Sequence, residues 1–361
     1  MFIDNEGDPT LAAQELKAIA DAEGLPPSEP SSISSGFESD LANLRLQDDS
    51  DSSFFCIHTS TAIQNGKGAF ASRDIQRGDL ILSEKRIFDI PTNLPQPRIQ
   101  MYIEAAVQNL SPADLDGYLS LHNSHSECSC SLGPLLGIFN TNGFAVSDDE
   151  SPGGIFLRAS RFNHSCSPNA KFSFNSKTGM VQFYALGTIP CGEEIFITYI
   201  DRETLGRRLY VCPRQTRQAT LRTRYHFTCA CPACSLSEAE SKISDARRQK
   251  LNELVEFISH SNPFMQGVQL LNVVVEAIRL QQEEGYLGDA DDFTNEGGLV
   301  CAFHSDWVSC NYWTGLTYHT RVAEFGEDFP GAAEARKGYL DPMSLPLAGL
   351  GPPMDLTWIR V

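Results

Sequence analysis

The 361-residue sequence has no apolar run long enough to cross a bilayer. Stretches such as Leu135–Phe139 and Val273–Val275 fall far short of the roughly 20 apolar residues a spanning helix needs. Its first residues, MFIDNEGDPT, are acidic and lead into no apolar core, so a secretory leader is not expected. Positive charge is scarce, with 28 Lys and Arg against 46 Asp and Glu and a net charge of −18. Such a surface is poorly suited to nucleic acid, whose phosphates are gripped by clustered cations. No repeat period and no low-complexity body are present, which argues against a solenoid or a fibrous protein. The eleven cysteines are odd in number and lack framework spacing, so a disulfide scaffold is disfavoured and free thiols or metal ligation are favoured. Together these absences point to a soluble intracellular protein, with the nucleus, the cytoplasm or both as the expected location and no membrane partner expected.

The acidity is uneven. Residues 1–53 hold twelve acidic side chains against Lys17 and Arg45, a net −10, which leaves −8 for the remainder. Rich in Ser, Asp, Glu and Pro, this first segment reads as disordered. The negative field has two readings that composition alone does not separate. It keeps the chain soluble, or it attracts a basic protein substrate by raising local concentration.

From Phe54 to Pro91, short apolar runs punctuated by glycine predict strands, with turns at Gly66–Gly68 and Arg77–Asp79. Helical spacing takes over from Arg98 to Leu121, and Ser111 followed by Pro112 and Asp114 caps a second helix. The loop HNSHSECSC offers His122, His125, Cys128 and Cys130 as a small metal site or as ordinary polar loop. Short strands are expected again from Gly137 to Tyr199, including Met180–Leu186 and the alternating run GEEIFITY. The arginines from Arg202 to Arg224 make either an electropositive patch or a solvated helix face. Helices are expected over Ser241–His260, Pro263–Glu284, Gly298–Phe325 and Pro330–Tyr339, and LPLAGLGPPMDL is too rich in Pro and Gly to continue them.

Two constellations carry chemistry. RFNHSCSPNA (Arg161–Ala170) strings an amide, an imidazole, a hydroxyl and a thiol together before Pro168, which disfavours helix at the residue before it. Cys229, Cys231 and Cys234 place three thiols within six residues, and a structural zinc needs four ligands at about 2.3 Å. Cys166 is the candidate fourth.

With GKG (Gly66, Lys67, Gly68), TNGF (Thr141–Phe144) and GEEIFITY (Gly192–Tyr199) in order around these two, the chain resembles a SET-domain protein lysine methyltransferase. The layout is similar to the SET-and-MYND group and to fungal SET proteins that share its split arrangement. The motifs run from about Phe54 to Cys234, roughly half the chain. The resemblance implies an α+β fold of small curved β-sheets in which the NHSC segment forms a pseudoknot beside the last strand. It also implies a zinc-bound post-SET segment and a helical C-terminal region. The expected division is a disordered segment at 1–53, a SET domain at 54–200 with a helical insert over about 98–136, a post-SET zinc segment at 201–236 and helices over 237–361.

By the same resemblance the methyl donor is S-adenosylmethionine, with zinc as a structural metal, and the partner is a protein presenting a lysine, histone or other. Gly66, Lys67, Gly68, Asn142, Ser160, Asn163, His164, Tyr199, Tyr225 and Phe227 fall at donor-binding positions. Gly66 and Gly68 would allow close backbone approach, and aromatic faces favour a sulfonium cation. Tyr199 falls at the catalytic position, where its hydroxyl would orient amine and methyl. Cys166, Cys229, Cys231 and Cys234 would hold the zinc. Two departures stand out: the MYND finger is missing from Arg98–Leu136, and the region after Ser241 is shorter than a full tetratricopeptide-like array. A catalytically silent SET module acting as a protein-interaction scaffold is the rival reading. Intact Asn163, His164 and Tyr199 speak against it.

Overall fold

The computed structural model describes residues 54–60, 66–91, 95–126, 132–146, 152–201, 208–262, 264 and 267–361. The segment expected to be disordered, together with Cys128, Cys130, Arg202, Arg207 and Pro263, lies outside the described residues.

Ten short strands carry the first half: β1 (Phe55–Thr59), β2 (Lys67–Ala71), β3 (Leu80–Lys85), β4 (Phe88–Asp89), β5 (Phe144–Ala145), β6 (Pro152–Ile155), β7 (Asn163–His164), β8 (Ala170–Asn175), β9 (Met180–Ala185) and β10 (Phe196–Ile197). They form four small sheets among the described residues. β1 pairs antiparallel with β2, β9 lies between β3 and β8, β6 lies between β4 and β5, and β7 runs parallel to β10. The β2–β3 turn falls at Gly78, whose φ of +86° suits glycine, and Asp79 accepts the Gln76 N–H at 2.9 Å. Inward-facing phenylalanines fill the space between sheets: Phe162 and Phe183 centre 4.6 Å apart, and Phe144 meets Phe172 edge-on at 5.0 Å. Burying a side chain of this size contributes roughly 1.5–3 kcal/mol.

Between β4 and β5 come α1 (Gln96–Gln108), α2 (Pro112–Leu119) and α3 (Pro134–Asn142). Ser111 caps α2 as its sequence predicts, accepting the Asp114 N–H. The expected strand from Gly137 is instead the helix α3. Its apolar run fits either state, but Pro134 sits at the first helical position, where proline is favoured, and that signal outweighs the run. The fully buried Tyr118 donates to the Leu135 carbonyl at 2.7 Å and locks α2 to α3.

The second half is helical: α4 (Arg214–Tyr225), α5 (Pro232–Ser235), α6 (Glu238–His260), α7 (Val268–Glu283), α8 (Asp291–Phe303), α9 (Trp307–Phe325) and α10 (Pro330–Leu340). α6 begins earlier than its apolar spacing suggests, because Ser237 and Glu240 form a capping box. The single helix expected over Gly298–Phe325 is broken at 304–306, where Asp306 turns its carboxylate to the Ser309 N–H and starts α9. The α4 arginines are not one solvated face. Arg217 is fully buried, its guanidinium donating to the Cys212 carbonyl at 2.6 Å, while Arg222 and Arg224 are exposed. α9 packs against β8 and β9 and joins the helices to the sheets.

Candidate active site

A cavity of about 590 Å³ opens where these elements converge, within the range of roughly 300–1,000 Å³ common for small-molecule sites. Four stretches build its walls. The start of β2 gives Gly66 and Lys67, the end of α3 gives Asn142 and Gly143, and the segment entering β7 gives Ser160–Asn163. The chain leaving β10 gives Ile197–Asp201. Arg224, Tyr225 and Phe227 close the remaining side from the end of α4. His226 caps α4 in the left-handed region, φ 56°, and that reversal lets the aromatics on either side of it both reach the cavity.

The polar groups on these walls are largely held by the protein. Asn163 donates its amide to the Lys67 carbonyl at 3.1 Å and to Glu194 Oε1 at 2.6 Å. The Tyr199 hydroxyl donates to the Phe162 carbonyl at 3.1 Å and lies 3.5 Å from Asn163 Oδ1. Asn142 gives its amide to the His122 and Ile138 carbonyls, both at 2.7 Å, and Ser160 donates to the Phe156 carbonyl at 2.6 Å. Tyr225 and Phe227 centre 5.1 Å and 6.3 Å from the Tyr199 ring, so the three rings cluster at this wall. Burial raises the Tyr199 phenol well above its ordinary value, so it stays protonated and able to donate.

Two of the expected donor-binding residues are not on the cavity wall. His164 is not among the cavity-lining residues. Its Nδ1 accepts the Tyr199 N–H at 3.0 Å, which requires an unprotonated nitrogen, and its Nε2 faces Cys166 Sγ at 3.4 Å. Burial agrees, lowering the imidazole to about 4. His164 therefore ties the chain leaving β10, which carries Tyr199, to the cysteine cluster. Gly68 also stays off the cavity wall. A Cβ there would lie 2.1 Å from Glu194 Oε1 and 2.9 Å from the Asn163 amide nitrogen, so the glycine makes room for the protein's own side chains.

Cys166, Cys229, Cys231 and Cys234 come together with all four Sγ atoms within 4.8 Å of one another, all buried. Tetrahedral geometry at a metal–sulfur distance of about 2.3 Å sets sulfurs about 3.8 Å apart, and Cys166 and Cys234 stand at 3.6 Å. The Cys166 N–H reaches Cys231 Sγ at 3.4 Å, and Gln218 clamps both backbone groups of Cys229, at 2.6 and 3.0 Å. The buried Arg217 guanidinium stands 3.9 Å from Cys234 Sγ. Four converging thiols with preformed donors around them could hold zinc. Of the polar loop after α2, His122 and His125 line the cavity, and His125 meets His226 at 3.1 Å.

Glu194 escaped the sequence reading, which placed it only at the start of an alternating strand. Burial raises its carboxyl above the ordinary value, and hydrogen bonds from Asn163 and Ser60 oppose the rise. His226 escaped as well, because a helix cap leaves no periodic signal.

Residues 66–200 match the SET domain, and the fold is accordingly that of a SET domain with a helical C-terminal region. The chain is 34% identical over 187 residues to histone-lysine N-methyltransferase set5 of Schizosaccharomyces pombe, covering 52% of this chain and 53% of that protein. It is 33% identical over 144 residues to N-lysine methyltransferase SMYD2 of Gallus gallus, covering 39% and 30%. With protein-lysine N-trimethyltransferase SMYD5 of the same species it shares 40% over 87 residues, covering 24% and 19%. The chain thus spans about half the length of the first of these relatives and less of the others.

Proposed function

We propose that the protein is an S-adenosylmethionine-dependent protein-lysine N-methyltransferase, with residues 54–200 as its SET domain, 201–236 as a zinc-bound post-SET segment and 237–361 as a helical region. One observation carries this reading: Tyr199 stands on the cavity wall with its hydroxyl beside Asn163 and its ring clustered with those of Tyr225 and Phe227. The residues fit the donor, since aromatic faces attract a sulfonium cation and Asn163 Oδ1 is an acceptor within reach of the cavity. When bound, the donor supplies an activated methyl group on a positively charged sulfur. The chain does the rest. Tyr225 and Phe227 exclude water and stabilise positive charge, while Asn163 and Ser160 offer polar groups at the wall.

Tyr199 presents its hydroxyl to the incoming amine. A lysine entering this aromatic surround is pushed from its ordinary value near 10.4 toward the neutral amine, because burial disfavours the ammonium. Holding the amine in line then supplies much of the rate by proximity. The substrate is a basic protein presenting a lysine, histone or other, complementary to the net charge of −18, in the nucleus or the cytoplasm. Cys166, Cys229, Cys231 and Cys234 would hold zinc, and that ligand set would tie the post-SET aromatics to β7.

The test joins donor binding by calorimetry with transfer of labelled methyl to histones and to fractionated basic proteins. Donor binding and label on lysine are expected. A protein that binds no donor and transfers no label is the scaffold of the rival reading. Tyr199→Phe should leave donor affinity and the melt nearly unchanged and lower the transfer rate about 100-fold, the usual cost of one positioned hydrogen bond at a reacting centre. A parental rate in that variant removes Tyr199 from the mechanism.

A further inference from the structure

Glu194 lies just before β10 and is not among the cavity-lining residues, yet its carboxylate bonds to Asn163 on the cavity wall and to Ser60, whose N–H donates to the carbonyl of the wall residue Gly66 at 2.8 Å. Oε1 accepts from the Asn163 amide at 2.6 Å, and Oε2 accepts from Ser60 Oγ at 2.8 Å at the end of β1. Gly68, on β2, leaves the space the carboxylate occupies. The backbone on either side is fixed too. Asn169 donates to the Glu194 carbonyl at 3.0 Å and accepts the Phe196 N–H at 2.7 Å, so the main chain that carries the carboxylate is held in place.

This arrangement decides which way the Asn163 amide faces. A side-chain amide has a donor edge and an acceptor edge, and an ionised carboxylate only accepts. With the Lys67 carbonyl at 3.1 Å as a second acceptor, Nδ2 meets two acceptors and Oδ1 is left toward the Tyr199 hydroxyl. The flipped amide would set its oxygen against both acceptors and leave no donor for either, a costly outcome for buried groups.

We propose that Glu194 is a positioning residue of this site, fixing the orientation of the Asn163 amide and, with Ser60, the start of β2. Ligand then meets an acceptor at Asn163 and an ordered Gly66–Lys67 backbone. The inference rests on the reading of the cavity as the donor site. Glu194→Gln has nearly the same shape but brings its own donor, so it relaxes the constraint without opening a hole.

The test is calorimetric titration of S-adenosylmethionine into the parent, Glu194→Gln and Ser60→Ala proteins, with zinc content and thermal melts recorded for each. Glu194→Gln should keep its zinc and a cooperative melt while donor Kd rises about tenfold, the scale of one charge-assisted hydrogen bond. Ser60→Ala, which loosens the carboxylate from the opposite side, should raise Kd a few-fold. A merely structural glutamate would move the melt and leave Kd alone. Parental Kd in a folded Glu194→Gln protein overturns the inference while leaving the donor reading intact. Should that variant fail to fold, parental Kd in Ser60→Ala overturns it instead. A parent that binds no donor fells the donor reading and, with it, this inference.

Discussion

Two fastenings join the SET sheets to the chain that follows, and they are built on opposite principles. The first gathers Cys166, just past β7, with Cys229, Cys231 and Cys234. The second sets Lys171 of β8 between Asp289 and Glu324, at 2.5 and 2.7 Å. Arg208 continues it, reaching Asp289 at 3.6 Å, Asp292 at 2.6 Å and Asp201 at 3.3 Å, and the Tyr286 hydroxyl donates to Asp289 at 2.9 Å. Four thiols around a cation need only be deprotonated and close, and binding free energy becomes folding free energy. In the ionic fastening two cations face four carboxylates, and each partner repays the burial of another. Its strength depends on every member being present and on which of them holds a proton.

The largest effect that separates the two is expected from Cys231→Ser. A cluster that holds zinc loses it with one ligand, and the post-SET aromatics lose their hold on β7. The variant should retain no stoichiometric zinc, melt without cooperativity and bind no donor, whereas the parent should carry about one zinc per chain. A soluble, donor-binding parent free of zinc would sink the metal assignment.

Next comes Lys171→Met, which removes the cation shared by two buried carboxylates. Breaking such a pair costs roughly 3–5 kcal/mol, because the remaining charge has no compensation. We expect about 3 kcal/mol in urea unfolding, with Arg208 still holding Asp289. Adding Glu324→Gln should recover part of the loss. A change below about 0.5 kcal/mol in Lys171→Met would show that this fastening bears no weight.

The two fastenings also differ in what the sequence discloses. Three cysteines within six residues announce a metal site, and Cys166 is found because NHSC is itself a motif. Lys171 and Glu324 stand 153 positions apart, on a strand and a helix, with no local pattern to mark either as buried. The same contrast runs through the cavity. Asn163, Tyr199, Tyr225 and Phe227 were legible as motif residues and do line it. Glu194, which orients Asn163, was not, since its role depends on Ser60 and Gly68 arriving from distant strands. Strand and helix boundaries failed where one apolar run suits both states, as in α3, or where a cap decides, as at Asp306.

The smallest effect is a pH dependence confined to the ionic fastening. Glu324 is buried, and that burial, with Asp289 and Asp291 nearby, raises its carboxyl from 4.5 to about 7 although the Lys171 ammonium pulls the other way. Asp289 responds oppositely: its burial is outweighed by Lys171 and Arg208, which hold it below the ordinary value. Asp289 is thus the stable anion of the pair, and Glu324 is the group that retains a proton. A raised folded value means that the folded state binds the proton more tightly than the unfolded state. The stabilisation is therefore fully present below about 4.5 and is lost as pH rises through about 7. Glutamine keeps the shape of a protonated Glu324 and cannot ionise. The parent should lose stability relative to Glu324→Gln by about 2 kcal/mol between about pH 5.5 and 8, read as the difference between their urea-unfolding curves. Taking that difference cancels the cysteines and the carboxylates remote from Glu324, which both proteins share. A difference that stays flat across that range would mean Glu324 is ionised throughout, fully matched by Lys171, and the ionic fastening would then hold as independently of pH in this window as the cysteine one.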